Sequence, residues 1–199
     1  SLAGDVVDAS AERMASAKSA AEGESAAGLV PDAFGDATDA EQRGVDARSE
    51  GRTDDAVEAF LSATVRFEAA AARGRAISER ARSEVDAREQ AEAGVRQALR
   101  NFEAAYANLS VPALVSVAPY MAAETETLER SFKEAQSFTV DLRDVVIAIN
   151  EDRTSARVTC TRNVSYRPKR GLANSNADSI VFDLEQRGAN WVIASMESR

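Results

Sequence analysis

An arginine on the inward face of a predicted strand is the residue whose type and position best suit binding chemistry. Arg162 lies in the stretch TCTRNVSYR, residues 159–167, where apolar side chains alternate with polar ones. Such alternation is typical of a strand with one buried face. The even positions that share this face with Arg162 are Val158, Cys160, Val164 and Tyr166. A guanidinium on a buried face needs a partner, because burying an unpaired charge is unfavourable.

Three interpretations of Arg162 remain open. It pairs with an internal acid such as Glu103 or Glu129, it binds an anionic group of a ligand, or a bulge shifts the strand register and turns it towards solvent. A guanidinium binds a carboxylate or phosphate through two parallel hydrogen bonds, which makes the second interpretation chemically specific. This second interpretation requires a pocket. Its candidate ligand-binding residues are Arg162, Phe102, Tyr106 and Tyr166.

The composition removes several classes of catalytic chemistry. The chain has no histidine, which excludes His-dependent triads, zinc-protease helices and imidazole bases. Cys160 is the only cysteine, so neither an internal disulfide nor a multi-thiolate metal site is available. No phosphate-binding loop is present, and we expect no cofactor and no metal. Asp141 and Asp144 are candidate general bases, but both are expected to face solvent.

Charge and hydropathy limit the partners. The net charge is −9, and residues 1–50 alone carry 11 acidic and 4 basic side chains. An acidic chain repels phosphate backbones, so we expect no nucleic acid partner. One basic cluster, Arg162, Arg167, Lys169 and Arg170, is most simply a solvated strand end. No apolar run is long enough for a membrane span. The sequence does not decide between a cytoplasmic and an extracytoplasmic location.

The chain changes character near residue 136, which predicts an α+β protein. Before that point apolar residues recur at helical spacing, and after it valine, isoleucine and threonine alternate with polar residues. Helices are predicted over 5–22, 32–50, most of 53–109 and 122–135, with a short apolar helix within 111–121 that ends before Pro119. Four strands in a meander are predicted over 137–149, 154–168, 178–186 and 190–197.

The first predicted strand switches its apolar face near Arg143 and Asp144. Phe138, Val140 and Leu142 share one parity, whereas Val145, Ile147 and Ile149 share the other. A slip of one residue predicts a β-bulge, which bends a sheet. A bent antiparallel sheet covered by helices can enclose a cavity.

The helical part contains a hairpin signal at SEGRTDDAVEAF, where Gly51 can end one helix and Thr53 can begin the next. This segment resembles a tetratricopeptide-type helical hairpin, with a signature that is incomplete and not repeated often enough for an array. The polar stretch SERARSEVDAREQAEA that follows predicts an exposed helix connecting two domains. We therefore predict an acidic, all-helical module over residues 1–90 and an α+β domain over 91–199.

The closing hairpin SIVFDLEQRGANWVIASME resembles the last hairpin of the nuclear-transport-factor-2-like, or SnoaL-like, superfamily. The residues that carry the resemblance are Phe182, Leu184, Gly188, Trp191 and Ile193, and the helix VRQALRNFEAAYANLSVPALVSVAP resembles the first helices of that family. The resemblance covers residues 93–197 and implies a cone-shaped domain with a curved four-stranded antiparallel sheet. The fold alone does not define a function, since it hosts enzymes, transport factors and sensor domains.

The resemblance also sets the functional expectations. Isomerases of the family place a tyrosine proton donor where this chain has Phe102. The leading expectation is a non-catalytic, ligand-sensing or protein-interaction accessory region of a larger bacterial regulatory protein, such as a membrane-anchored kinase. Its partners are a small anionic ligand and a protein contacting the helical module. The alternatives are a small cofactor-free isomerase or cyclase and a structural dimerisation module that forms a homodimer through the sheet.

Overall fold

A computed structural model describes the backbone of residues 2–198 and the side chains of residues 4–198. Helices come first and strands after, as the sequence predicts. The helices are α1 (Leu2–Gly23), α2 (Ala26–Leu29), α3 (Pro31–Ser49), α4 (Thr53–Ala107), α5 (Val111–Val117), a 3₁₀ helix (Pro119–Glu124) and α6 (Thr125–Glu134). The strands are β1 (Ala135–Ile149), β2 (Ser155–Pro168), β3 (Asn174–Arg187) and β4 (Asn190–Ser198). The α+β prediction is confirmed.

The chain divides into two compact units, Ser1–Glu84 and Val85–Arg199, each with its own hydrophobic core. Among the described helices, none has a stretch long and apolar enough to cross a membrane. Most of the predicted connector sequence, residues 78–93, is exposed within α4, as its polar composition predicts.

The first unit packs its helices through small side chains. Among its described side chains, residues 4–84, the core contains ten buried alanines and only two buried phenylalanines, Phe60 and Phe67. A Cβ at Gly44 of α3 would lie 2.7 Å from the Phe60 ring, so the glycine allows the helix and the ring to approach closely. Gly51 has a φ of 74° and separates α3 from α4, in the role that the sequence predicts for it. The tetratricopeptide-type interpretation of this hairpin stays a prediction.

The second unit contains a four-stranded antiparallel meander in the order β1-β2-β3-β4. Three predicted strands agree with the structure to within about two residues. β3 begins at Asn174, four residues before the predicted start. Its first residues, NSNA, have no apolar alternation and so resemble a loop in sequence, but each of them pairs in the ladder with the end of β2.

The predicted bulge in β1 is present. The pairing with β2 shifts between Arg143 and Val146, and Asp144 has a φ of 52°, in the left-handed region. Phe138, Val140 and Leu142 point inward before the shift, and Val145, Ile147 and Ile149 pack against the core after it. The bulge therefore keeps one face of β1 apolar along its whole length.

The helices of this unit cover one face of the sheet, and the space between them is called the cone below. The short apolar helix predicted within 111–121 ends before Pro119, as expected. α5 ends at Val117 before Pro119, and the chain continues as a 3₁₀ helix to Glu124. The Ser110 side chain caps α5 by accepting a hydrogen bond from the backbone N–H of Ala113 at 3.3 Å. This break in the helix places Tyr120 beside the cone.

Candidate functional site

Arg162 lies on the concave face of β2, next to the buried Val158 and Cys160. Its Nε donates to Asp178 Oδ1 at 3.0 Å and its Nη2 donates to Oδ2 at 2.7 Å. The two residues are direct cross-strand partners on β2 and β3, and their side chains are 19% and 21% exposed. The parallel geometry raises the pKa of Arg162 and lowers the pKa of Asp178, since each charge stabilises the other.

This pairing decides one of the questions that the sequence leaves open. Arg162 has an acidic partner, but the partner is neither Glu103 nor Glu129. Glu103 instead accepts a hydrogen bond from the backbone N–H of Leu142 at 2.8 Å, and Glu129 is exposed. The stretch PKRGLANSNA between the two residues has the sequence of a loop, so it does not reveal the register that puts Asp178 opposite Arg162.

Asp178 does not use all the hydrogen-bonding capacity of Arg162. A guanidinium has five N–H donors. Two bind Asp178, and one on Nη1 contacts the Met196 sulfur at 3.3 Å, which is a weak acceptor. Within residues 4–198, the two remaining N–H groups have no acceptor.

Tyr120 contributes a second group that lacks a partner. Its hydroxyl oxygen is inaccessible to solvent and has no hydrogen-bond partner among the described residues. The pKa of Tyr120 is raised to about 12, chiefly by burial and less by the neighbouring Tyr106, while Arg162 opposes the shift. Tyr120 is therefore a neutral donor close to Arg162, and leaving such a donor unpaired is unfavourable by about 1–3 kcal/mol.

A row of aromatic rings forms the apolar wall of the cone. Phe102 contacts Tyr106 with ring centres 5.1 Å apart, and Tyr106 contacts Phe138 at 4.8 Å. Phe138 in turn contacts Tyr166 at 5.4 Å. Most of these pairs are edge-to-face, the arrangement that the charge distribution of aromatic rings favours. Phe102 and Tyr106 are buried within this wall, whereas Phe138 and Tyr166 are partly exposed.

The four residues predicted from the sequence lie on the concave side, though not as one contiguous contact set. Phe102 and Tyr106 touch directly, and Tyr166 reaches them only through Phe138. Burial raises the pKa of Tyr106, and the positive charge of Arg162 opposes that shift. Their role in binding a ligand stays a prediction.

Sequence reasoning missed three residues of this cluster, Tyr120, Asp178 and Met196. Tyr120 follows Pro119 directly, and a proline that ends an apolar helix was the available signal for a side chain leaving the helix face. Asp178 could have been found only from the strand register. Met196 carries no polar pattern that marks it as a neighbour of an arginine.

Cys160 is on the same face but is chemically quiet. Its thiol is 4% exposed, and burial raises its pKa to about 11. A neutral buried thiol is a poor nucleophile because the thiolate is the reactive form. Cys160 therefore acts as a small apolar residue of the core.

The two candidate general bases lie outside the cone, as expected. Asp141 is exposed and bound by Arg143 at 2.6 Å. Asp144 is exposed in the bulge and accepts a hydrogen bond from Thr161 at 3.4 Å. Across residues 4–198, no group of acidic or cysteine side chains is close enough together to hold a metal ion.

These features define a class of protein: a helix-covered, curved antiparallel sheet whose concave side carries unpaired donors in an aromatic setting. The second unit has the helix-covered, curved four-stranded sheet that the resemblance to the nuclear-transport-factor-2-like, or SnoaL-like, superfamily implies, and solved structures share this fold.

A candidate scytalone dehydratase from Novosphingobium aromaticivorans superposes with a TM-score of 0.52 at 12% identity, over 58% of this chain and 87% of that one. A candidate dehydratase of the NTF2-like family from Streptomyces avermitilis gives a TM-score of 0.47 at 15% identity, over 55% of this chain and 96% of that one. At such identities the likeness concerns the fold alone. No family model and no curated protein matches the chain.

Proposed function

We propose that this chain is a non-catalytic accessory region of a larger bacterial regulatory protein, in which the cone binds a small ligand and the helical unit contacts a protein partner. The observation that carries the proposal is the buried Tyr120 hydroxyl without a partner, whose pKa the positive charge of Arg162 influences. Buried donors in folded proteins are normally paired, so an unpaired set marks a place for an acceptor.

The structure changes the ligand chemistry that the sequence suggests. Asp178 neutralises Arg162, and two more acids, Glu103 and Glu124, influence the pKa values of side chains in the cluster. A full negative charge would meet these carboxylates. A neutral group with a carbonyl or similar oxygen can accept hydrogen bonds from Tyr120 and Arg162 without that repulsion. The proposed ligand is therefore an apolar molecule that carries a neutral hydrogen-bond acceptor and can pack against the aromatic rings.

Three observations favour binding over catalysis. Phe102 supplies no hydroxyl where the isomerases of the family have one. The pKa values of Tyr120 and Cys160 are raised to about 12 and about 11, so both stay protonated near neutral pH. Glu103 and Asp178 already accept hydrogen bonds from the protein and are held away from the role of a free base.

The helical unit has features of a contact surface. Val6, Leu61 and Val65 are large apolar side chains that are more than two-fifths exposed. Val6 and Leu61 line one groove of about 440 Å³, together with Val57. Exposed apolar side chains that share a groove are typical of protein contact sites, which supports the protein-partner part of the proposal.

The proposal is tested by thermal unfolding with three probes that share a phenyl ring: acetophenone, ethylbenzene and benzoate. Acetophenone has a neutral acceptor, ethylbenzene has none, and benzoate has a charged one. We expect acetophenone to raise the unfolding midpoint most. Tyr120→Phe keeps the ring and removes one of the donors, so it should reduce the difference between acetophenone and ethylbenzene.

Tyr166→Phe is the matched control, because it removes the same atom from a tyrosine at the other end of the aromatic row. It should preserve the discrimination. A larger shift with benzoate that disappears in Arg162→Ala would favour an anionic ligand over a neutral one. No shift with any probe at millimolar concentration would contradict the ligand-binding proposal. Turnover of acetophenone or related carbonyl compounds would instead favour the isomerase or cyclase alternative.

A further inference from the structure

A basic cleft in the second unit lies apart from the residues of the cone. It is lined by the C-terminal half of α6, by the end of β2 and by the residues after that strand, and has a volume of about 610 Å³. Its lining residues are Arg130, Lys133, Glu134, Pro168, Lys169 and Arg170. Four cations and one carboxylate meet here, in a chain whose net charge is −9.

The cleft is held in shape by the protein itself. The backbone N–H of Lys169 donates to the Glu134 carbonyl at 2.8 Å, and Lys169 Nζ donates to the Lys133 carbonyl at 2.7 Å. These bonds attach the segment after β2 to the last turn of α6. Gly171, with a φ of 106°, then turns the chain away in a conformation that a side chain would disfavour. The basic residues therefore lie on two elements that are fastened together.

The cations of the cleft, like Arg88, Arg100, Arg153 and Arg167, have no acidic partner among the described residues, whereas other arginines of the same unit do. Elsewhere in the unit, five arginines have an acidic oxygen within 4.0 Å: Arg96, Arg143, Arg157, Arg162 and Arg187. Among residues 4–198, no acid lies within that distance of any cation of the cleft, although Glu134 lines the same space. The Lys169 ammonium donates to a carbonyl of α6. Arg130, Lys133 and Arg170 are therefore the cations available to a ligand.

We propose that this cleft binds the phosphate group of a ligand. A phosphate offers several oxygens in a tetrahedral arrangement, and arginine binds two of them at once while lysine acts as a point charge. Three cations from two elements can therefore surround one phosphate from different sides. The phosphate group is supplied by a soluble molecule or by a lipid headgroup, and the chemistry of recognition is the same for both.

The test uses the whole chain and inorganic pyrophosphate as the soluble probe, at low ionic strength. Once pyrophosphate exceeds its Kd about fivefold, the midpoint of thermal unfolding should rise by about 2–4 °C. Arg170→Gln should remove most of that rise. The rise should also fall when NaCl is increased from about 20 to about 200 mM, because an exposed charge pair is screened.

Arg167→Gln is the matched control, since Arg167 is exposed, makes the same charge change and does not line the cleft. It should retain the rise. Equal loss in both variants, or no rise in the wild type, would overturn the proposal. Sedimentation with phosphatidylglycerol vesicles separates the sources: pelleting that Arg170→Gln abolishes assigns a lipid headgroup, and a pyrophosphate effect without pelleting assigns a soluble phosphate.

Discussion

The two faces of the same strand pair carry the same chemical motif with different surroundings. Arg162 and Asp178 are direct partners across β2 and β3, and so are Arg157 and Asp183. The concave pair is 19% and 21% exposed, whereas the convex pair is 65% and 38% exposed. Five positions separate the two arginines, and an odd spacing puts their side chains on opposite faces.

The comparison shows that environment, more than residue type, decides what an ion pair does. The convex pair is screened by water and contributes little to stability. The concave pair lies near aromatic rings and an unpaired hydroxyl, where its charges affect the pKa values of Tyr106, Tyr120 and Cys160. The concave pair can therefore orient a ligand, and the convex pair is a surface feature.

The largest effect is expected from truncating a ring on the concave face. Phe182 is fully buried and contacts Phe102 with ring centres 5.4 Å apart. Phe182→Ala should lower the free energy of unfolding by about 3–5 kcal/mol because it leaves a cavity. Val146→Ala, at a side chain 63% exposed in the same sheet, should change it by less than about 0.5 kcal/mol. Trp191, the only tryptophan, reports on urea unfolding of this unit by fluorescence; similar losses in both variants would remove the distinction between the faces.

The second effect concerns the thiol on the concave face. Because burial raises the pKa of Cys160 to about 11, labelling by iodoacetamide at pH 8 should be at least about a hundredfold slower in the folded protein than in urea. The pKa of the Cys160 thiol is higher in the folded chain than in the unfolded chain. The thiol therefore contributes stability below its unfolded pKa of about 8.5, and this contribution is lost as the pH rises towards 11. Mass spectrometry measures the labelling rates of the folded and the urea-unfolded chain. Rapid labelling of the folded chain would show that solvent reaches Cys160 in the cone.

The third prediction tests the two ion pairs directly. Arg162→Ala should lower the free energy of unfolding by about 1–3 kcal/mol, because it leaves Asp178 without its hydrogen bonds. Arg157→Ala should cost less than about 1 kcal/mol. Denaturant titrations followed by Trp191 fluorescence measure both. Equal costs would mean that the concave face is as well solvated as the convex one.

The concave pair should also give a pH signature. Arg162 lowers the pKa of Asp178 in the folded chain, so the carboxylate contributes stability above its unfolded pKa of about 3.9. That stability is lost as the pH falls through the folded pKa. Stability curves of wild type and Arg162→Ala should therefore differ at neutral pH and converge in acid, whereas a constant difference would contradict the assignment.

The fourth prediction concerns the bulge that keeps β1 apolar on its concave side. Asp144 has a φ of 52°, which glycine adopts more readily, so Asp144→Gly should stabilise by up to about 1 kcal/mol. Asp141 lies in regular strand, and Asp141→Gly should destabilise by about 0.5–1 kcal/mol. Opposite signs in urea unfolding support the bulge geometry, and the same sign for both would argue against it.

The smallest effect is expected from Tyr120→Phe without ligand. A hydroxyl that binds nothing in the folded chain contributes no hydrogen bond, so its removal should leave stability unchanged or raise it by up to about 1 kcal/mol. Tyr106→Phe offers a second hydroxyl deletion at a buried ring for comparison. A loss above about 1 kcal/mol for Tyr120→Phe would show that its hydroxyl already has a partner.

Local patterns in the sequence were sufficient to predict the fold of the second unit. Alternation predicted three of the strands closely, and the parity switch at Arg143 and Asp144 predicted the bulge, since both signals lie within a few residues. The partner of Arg162 was predicted wrongly, because Asp178 is brought opposite by a register that the intervening loop does not encode locally. Tyr120 was missed for a similar reason, as its unpaired state depends on the packing of several elements at once.

The proposed ligand of the concave cluster is bound through Tyr120 and Arg162. All three tyrosines of the chain, Tyr106, Tyr120 and Tyr166, belong to this unit, so ¹³C labelling of tyrosine rings reports on the cone without background. The direct measurement is an NMR titration with acetophenone and ethylbenzene. The account predicts that acetophenone shifts the Tyr120 ring signals more strongly than ethylbenzene does. Signals that stay unchanged at millimolar acetophenone would contradict it.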